Sequence, residues 1–239
     1  GKRHMADLKT TYMGLELKNP IVVGASDLTA NIDKIKQIEA AGAGALVLKS
    51  LFEEQIQLEA YKLEQEMQQN NDLHAEMTSV FPELDHAGPA EHLMWAKKAK
   101  DAVSIPVIAS LNAVNADVWL DYAVKLADTG VDGLELNFYA VPGLDSQSAT
   151  QIEDDQVAIF KSIKSKVSVP VSVKLSPFYT NPAHVIARFD QAGAQAVVLF
   201  NQLFQPDINI EQEKQTFSMS LSDSKDHRLP LRFAGLLHG

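Results

Sequence analysis

The sequence predicts an α/β protein, an incomplete (β/α)8 barrel with about six strands. Three observations lead there. Short apolar strands alternate with helices, which implies parallel pairing through right-handed crossovers. One strand–helix–strand unit recurs three times with the same punctuation. Polar residues gather where the apolar strands end, as they do at the active end of β/α-barrels.

Gly1 to His4 before Met5 read as a cloning remnant, so residues 1–5 are set aside and 6–239 are taken as a single barrel domain, incomplete at its C-terminal end. Alternation around Met13-Gly14 predicts a small hairpin over Asp7 to Lys18. Pro20 to Ser26 then reads as a strand entering a small-residue loop. Asn31 is the expected N-cap of a helix carrying Ile35 and Ile38, Gly42 its C′ residue, and Ala45 to Ser50 the second strand.

The second unit runs from a strand at Pro106 to Asn112, through an Asn115 cap, a helix with Val118, Tyr122 and Leu126 and a stop at Gly130, to a strand at Leu134 to Asn137. The third runs from Pro170 to Ser176, through the Asn181-Pro182 cap pair and Gly193, to Ala196 to Asn201. Prolines 20, 106 and 170 precede glycines 42, 130 and 193 by 22, 24 and 23 residues. Helices over Pro89 to Val103 and Gln151 to Val167 link the units. An open doubly wound sheet also fits this alternation, but strands in pairs divide an eight-stranded barrel more naturally.

Past Asn201 only 38 residues remain, read as a polar hairpin or excursion over Asp207 to Ser222 and a helix starting near Leu229. Two further strand–helix pairs do not fit there. The expected barrel stops near its sixth helix, with its open edges covered by a homodimer or by strand exchange. Phe52 to Asp72 reads as a solvated helix over the barrel mouth, and His74 to His86 as an active-site or interface loop. His74, His86 and His92 lack metal-ligand spacing, so no metal is expected.

Composition narrows the function. Apolar content of 46% and charged content of 22% are ordinary for a globular protein. A formal charge of −10 without a basic patch argues against a nucleic-acid partner. No apolar run is long enough to cross a bilayer and no signal peptide is visible, so a cytoplasmic protein acting on a small-molecule substrate is expected. With no cysteine, disulfides and thiolate metal sites are excluded.

The polar strand tips are Ser26, Lys49 with Ser50, Asn112, Asn137, Lys174 and Asn201. A lysine converging on a crevice must be paired or solvated. An isoalloxazine ring offers a partner, because its N1/O2 edge gains negative charge on reduction. Asparagine amides suit the O4/N3 edge and substrate carbonyls, since each both donates and accepts. The alternative is that the lysines tilt outward or form ion pairs at the barrel rim.

Asn19-Pro20 with Ala25-Ser26, Leu48-Lys49-Ser50, Glu135-Leu136-Asn137, Val173-Lys174-Leu175-Ser176-Pro177 and Asn201 together resemble the dihydroorotate dehydrogenase family, from about Leu8 to the C-terminus. The resemblance implies a TIM barrel of the FMN-linked oxidoreductase type, acting in pyrimidine biosynthesis. The reaction takes a proton from C5 and a hydride from C6 of dihydroorotate, giving orotate and reduced FMN. It assigns Ala25, Ser26, Lys49, Ser50, Lys174 and Asn201 to the cofactor, and Lys49 and Asn137 to catalysis; Asn112 joins the cofactor set as a polar strand tip. Lys174 takes the N1/O2 edge, and Asn137 and Asn201 the substrate amides.

Three departures qualify that expectation. Ala140 stands where the family places a Cys or Ser base, and a methyl group accepts no proton; Ser146 or Ser148 would have to substitute. Thr78 to Pro82 replaces the family's asparagine and glycine motif after strand two. The strands whose following loops hold the FMN phosphate are not present. Two alternatives therefore stand beside the dehydrogenase: a non-catalytic or differently specific relative lacking the base, and a lyase or aldolase using Lys174 as a Schiff-base nucleophile.

Overall fold

The computed structural model describes residues 6–50, 89–112, 116–140, 147–201, 207–216 and 224–238. Strands β1 (Thr10–Tyr12) and β2 (Leu15–Leu17) form an antiparallel hairpin, turning at Met13 and Gly14 with φ of 55° and 79°. Six strands follow: β3 (Val22–Val23), β4 (Ala45–Leu48), β5 (Val107–Asn112), β6 (Gly133–Phe138), β7 (Val171–Leu175) and β8 (Ala196–Leu199). They pair in parallel in chain order, with no reversal.

Helices α1 (Ile32–Ala40), α2 (Pro89–Ala102), α3 (Ala116–Ala127), α4 (Ala149–Lys164) and α5 (Pro182–Gln191) pack each against the next. All cover the same face of the sheet, which settles the choice between architectures. A doubly wound sheet reverses its strand order and carries helices on both faces; this sheet curls as part of a β/α-barrel. After β8 come a hairpin, β9 (Asp207–Asn209) with β10 (Lys214–Thr216), and helix α6 (Arg228–Leu237). The expected hairpin and terminal helix are thus both present. Among the described residues no helix is long and apolar enough to cross a membrane.

The three predicted units share hydrogen bonds as well as spacing. Gly42, Gly130 and Gly193 have φ of 96°, 92° and 95°, the left-handed conformation that ends a helix without a Cβ penalty. At α1 and α5 the stop is the paired-bond form: Ala43 N donates to Ile38 O and Gly42 N to Glu39 O, as Ala194 does to Phe189 and Gly193 to Asp190. Two residues past each glycine, the backbone N–H donates to the carbonyl just after the unit's proline: Gly44 to Ile21, Asp132 to Val107, Gln195 to Val171, at 2.8, 2.8 and 3.0 Å. In the last two units that residue's side chain also accepts the same strand's N–H and a lysine from the preceding helix. Asp132 takes Val107 N and Lys100 at 2.7 and 2.6 Å; Gln195 takes Val171 N and Lys164 at 2.8 and 2.6 Å. Asn31 and Asn181 cap their helices as expected.

Alternation places one set of strand residues against the helices and the other on the inner face. Leu46, Leu48, Val107, Leu111, Leu134, Leu136, Phe138, Val171, Val173 and Leu175 meet Ile35, Trp95, Leu126, Phe160, Ile163 and Phe189 in the main core. Each such side chain contributes roughly 1.5–3 kcal/mol by burial. Phe189 stacks on Phe138 at 5.2 Å and meets the edge of Phe160 at 5.6 Å. At the strand N-terminal end the hairpin closes the inner face: buried Met13 packs with Val47 and Ile108, beside Gly133.

Candidate functional site

The inner face rises in three rows from that floor. The first is apolar, with Val47, Ile108 and Gly133 in register. The second is polar and buried, with Ser110 opposite Glu135 and Glu135 opposite Ser172. Ser110 Oγ donates to Glu135 Oε1 at 3.2 Å. Tyr12 reaches this row from the hairpin; burial, and then the nearby Glu135 charge, push its phenol up to about 12.

The third row, at the C-terminal ends, holds Asn112, Asn137 and Lys174 side by side. Asn137 Nδ2 donates to Asn112 Oδ1 at 3.1 Å, and Asn201 Nδ2 donates to Asn137 Oδ1 at 3.0 Å and to the Phe138 carbonyl at 3.1 Å. All three asparagines are buried. Among the described residues, two of their polar atoms, Asn112 Nδ2 and Asn201 Oδ1, find no hydrogen-bond partner, and neither does the buried Ser50 Oγ at the end of β4. A buried polar group without a partner costs about 1–3 kcal/mol, so Asn112 Nδ2 is open to an acceptor and Asn201 Oδ1 to a donor. Half-buried Lys174 has no hydrogen bond or ion pair with a described residue.

Lys49 lies one residue past the last paired position of β4, on the same face as Val47, and forms an ion pair with Asp27. The rim ion pair weighed in the sequence therefore exists for Lys49 and not for Lys174. Ser26 heads a one-turn 3-10 helix over Asp27–Thr29, and Ala25 is half-buried against the floor residues. Lys49, Asn112, Asn137, Lys174 and Asn201 thus meet at one end of the sheet, and Asp27 joins them unforeseen. Its sequence signal was an acid directly after Ala25-Ser26.

Ala140 is exposed just past β6. Ser148 caps α4, accepting from Gln151 N at 3.3 Å in a reciprocal capping box, and Ser146 lies outside the described residues. The segments Phe52 to Asp72 and His74 to His86, with Thr78 to Pro82, also lie outside them, as does the Asn115 cap. His92 is buried in the helical layer, its Nδ1 against the Tyr122 hydroxyl and its ring stacked on Trp95 at 6.1 Å. A surface depression lined by Leu120, Asp121, Val124 and Lys166 is also in that outer layer, away from the strand tips.

A curled parallel sheet, helices on its outer face, and amides and lysines at the C-terminal tips define a barrel of the enzyme-bearing kind. In sequence the chain is similar to dihydroorotate dehydrogenases. It is 31% identical over 198 residues to dihydroorotate dehydrogenase B (NAD(+)), catalytic subunit, of Thermoplasma volcanium, and 28% identical to that of Thermoplasma acidophilum. Each match covers 81% of this chain and 62% of the relative. Dihydroorotate dehydrogenase A (fumarate) of Limosilactobacillus reuteri is 26% identical over 80% of this chain and 61% of that protein. The chain spans about three-fifths of the length of the curated relatives it matches. No protein-family model matches it. Among solved structures, phosphonopyruvate hydrolase in complex with oxalate and Mg++ superimposes with a TM-score of 0.50 at 14% identity, covering 77% of this chain and 59% of that one. That likeness bears on the fold alone.

Proposed function

We propose that residues 6–239 form one incomplete barrel domain of an FMN-dependent oxidoreductase that oxidises dihydroorotate or a related cyclic amide. The observation that carries this reading is the third row, where Asn112, Asn137 and Asn201 join in one buried amide chain beside Lys174, which has no partner among the described residues. Relatives named dihydroorotate dehydrogenase support the substrate class.

Bound FMN supplies a hydride acceptor. Asn112 Nδ2 and Asn201 Oδ1 hold the amide-like edges of ring and substrate, each completing a hydrogen bond that the chain leaves open. Lys174 places its ammonium where negative charge develops, and the apolar floor beneath Glu135 keeps water from the far side of the face. Lys49 orients an anionic substrate group. A homodimer that covers the outer strands β3 and β8 completes the proposal.

The test is spectroscopic. Titrated with FMN, the chain is expected to bind it, and anaerobic dihydroorotate to bleach the oxidised flavin band. A chain that leaves FMN free in solution, with the band of a longer version unchanged by dihydroorotate, refutes the proposal. Ala140 favours one second reading, that the native substrate is not dihydroorotate, since Ala140 takes no proton from C5. Under that reading Ala140→Cys creates dihydroorotate turnover where the parent has none.

A further inference from the structure

We propose that Asp27 is a specificity-determining residue of this site, a carboxylate that holds Lys49 until an anionic ligand group replaces it. The inference rests on the reading of Lys49 as a ligand-contacting residue.

The two lysines at the mouth are not equivalent. Lys174 has no charged partner among the described residues, whereas Lys49 Nζ meets Asp27 Oδ1. The ion pair is lopsided: the Lys49 side chain is 17% exposed and that of Asp27 is 73% exposed. Asp27 reaches in from a one-turn helix fixed by buried Thr29, whose hydroxyl donates to Ser26 O at 3.0 Å. Lys34 holds the Asp27 carbonyl at 3.1 Å, so the backbone of this turn is fixed by contacts other than the Asp27 carboxylate.

Separation of the pair costs its two members unequally. Asp27, 73% exposed, regains full hydration on leaving, whereas Lys49, 17% exposed, is reached by less water. A ligand carboxylate replaces Asp27 charge for charge. A neutral ligand cannot, and it leaves the pair intact. Asp27 therefore competes with anions for Lys49 and sets how much affinity a negatively charged substituent adds. With one member exposed, the pair is worth up to about fivefold in binding.

The experiment compares orotate with uracil, which has the same ring without the carboxylate. Affinities are measured calorimetrically for the parent chain, Asp27→Asn, Lys49→Gln and the double variant, with thermal midpoints checking the fold. Asp27→Asn is expected to tighten orotate by about fivefold and to leave uracil within about twofold. The double variant is expected to match Lys49→Gln, because without the ammonium there is nothing to compete for. If Lys49→Gln weakens orotate while Asp27→Asn leaves it unchanged or weaker, the role of Asp27 is refuted and the site reading stands. If Lys49→Gln leaves orotate binding at the parent value, or the parent binds none, the site reading falls and this inference with it.

Discussion

Asn201 donates an amide hydrogen to Asn137 Oδ1 at 3.0 Å across 64 residues of sequence, fastening the end of β8 to that of β6 over the intervening β7. Asn137 passes the chain on to Asn112. Removing the middle member takes the donor from buried Asn112 Oδ1 and leaves Asn201 Nδ2 with the Phe138 carbonyl. Asn137→Ala is therefore expected to lower unfolding free energy by about 1–3 kcal/mol in urea titration, and to weaken FMN binding more than Asn201→Ala does.

Lys174 separates binding from stability. Its ammonium has no partner among the described residues, so Lys174→Met is expected to shift the unfolding free energy by no more than about 0.5 kcal/mol. In the same variant FMN affinity is expected to fall at least about tenfold, a loss of roughly 1.4 kcal/mol or more. Equal losses in both measurements would make Lys174 a structural residue.

Two glycines test how tightly the units are built. A Cβ at Gly44 would stand 2.2 Å from the backbone carbonyl oxygen of Asn19, which is itself held by Asn19 Nδ2 on Gly42 O. A Cβ at Gly133 would meet the flexible end of Met13 at 3.0 Å and the Pro170 carbonyl oxygen only at 3.3 Å. Gly44→Ala is expected to cost about 1–3 kcal/mol and Gly133→Ala clearly less, by chemical denaturation. Met13→Ala should remove the side-chain part of the Gly133→Ala penalty and none of the Gly44→Ala penalty.

Alkali should unfold the protein steeply. Burial raises the phenols of Tyr12, Tyr122 and Tyr179, Tyr12 to about 12, above the usual 10 of an unfolded chain. The native state thus keeps protons that the unfolded state has lost, so stability is level below about pH 10 and falls as pH rises from there through about 12. Thermal midpoints from pH 9 to 12 should show that decline, and Tyr12→Phe should reduce its slope.

The fold was legible because its punctuation is local. Each stop glycine is needed for a left-handed backbone, each cap asparagine for an open N–H, and neither depends on distant residues. Curl in place of double winding was less legible, since it depends on which face receives the helices. The site was half visible. Asn112, Asn137, Lys174 and Asn201 stand out as polar ends of apolar strands. The polar row beneath was there to be read in Ser110, Glu135 and Ser172, each two positions earlier, but a buried acid has meaning only beside its neighbours. Asp27 was missed because its partner lies 22 residues away, across an intervening helix.

The N-terminal hairpin plugs one end of the inner face with Met13. That bars the strand N-terminal end, so whatever visits the amide row comes to it from above Met13, on the side of the strand tips.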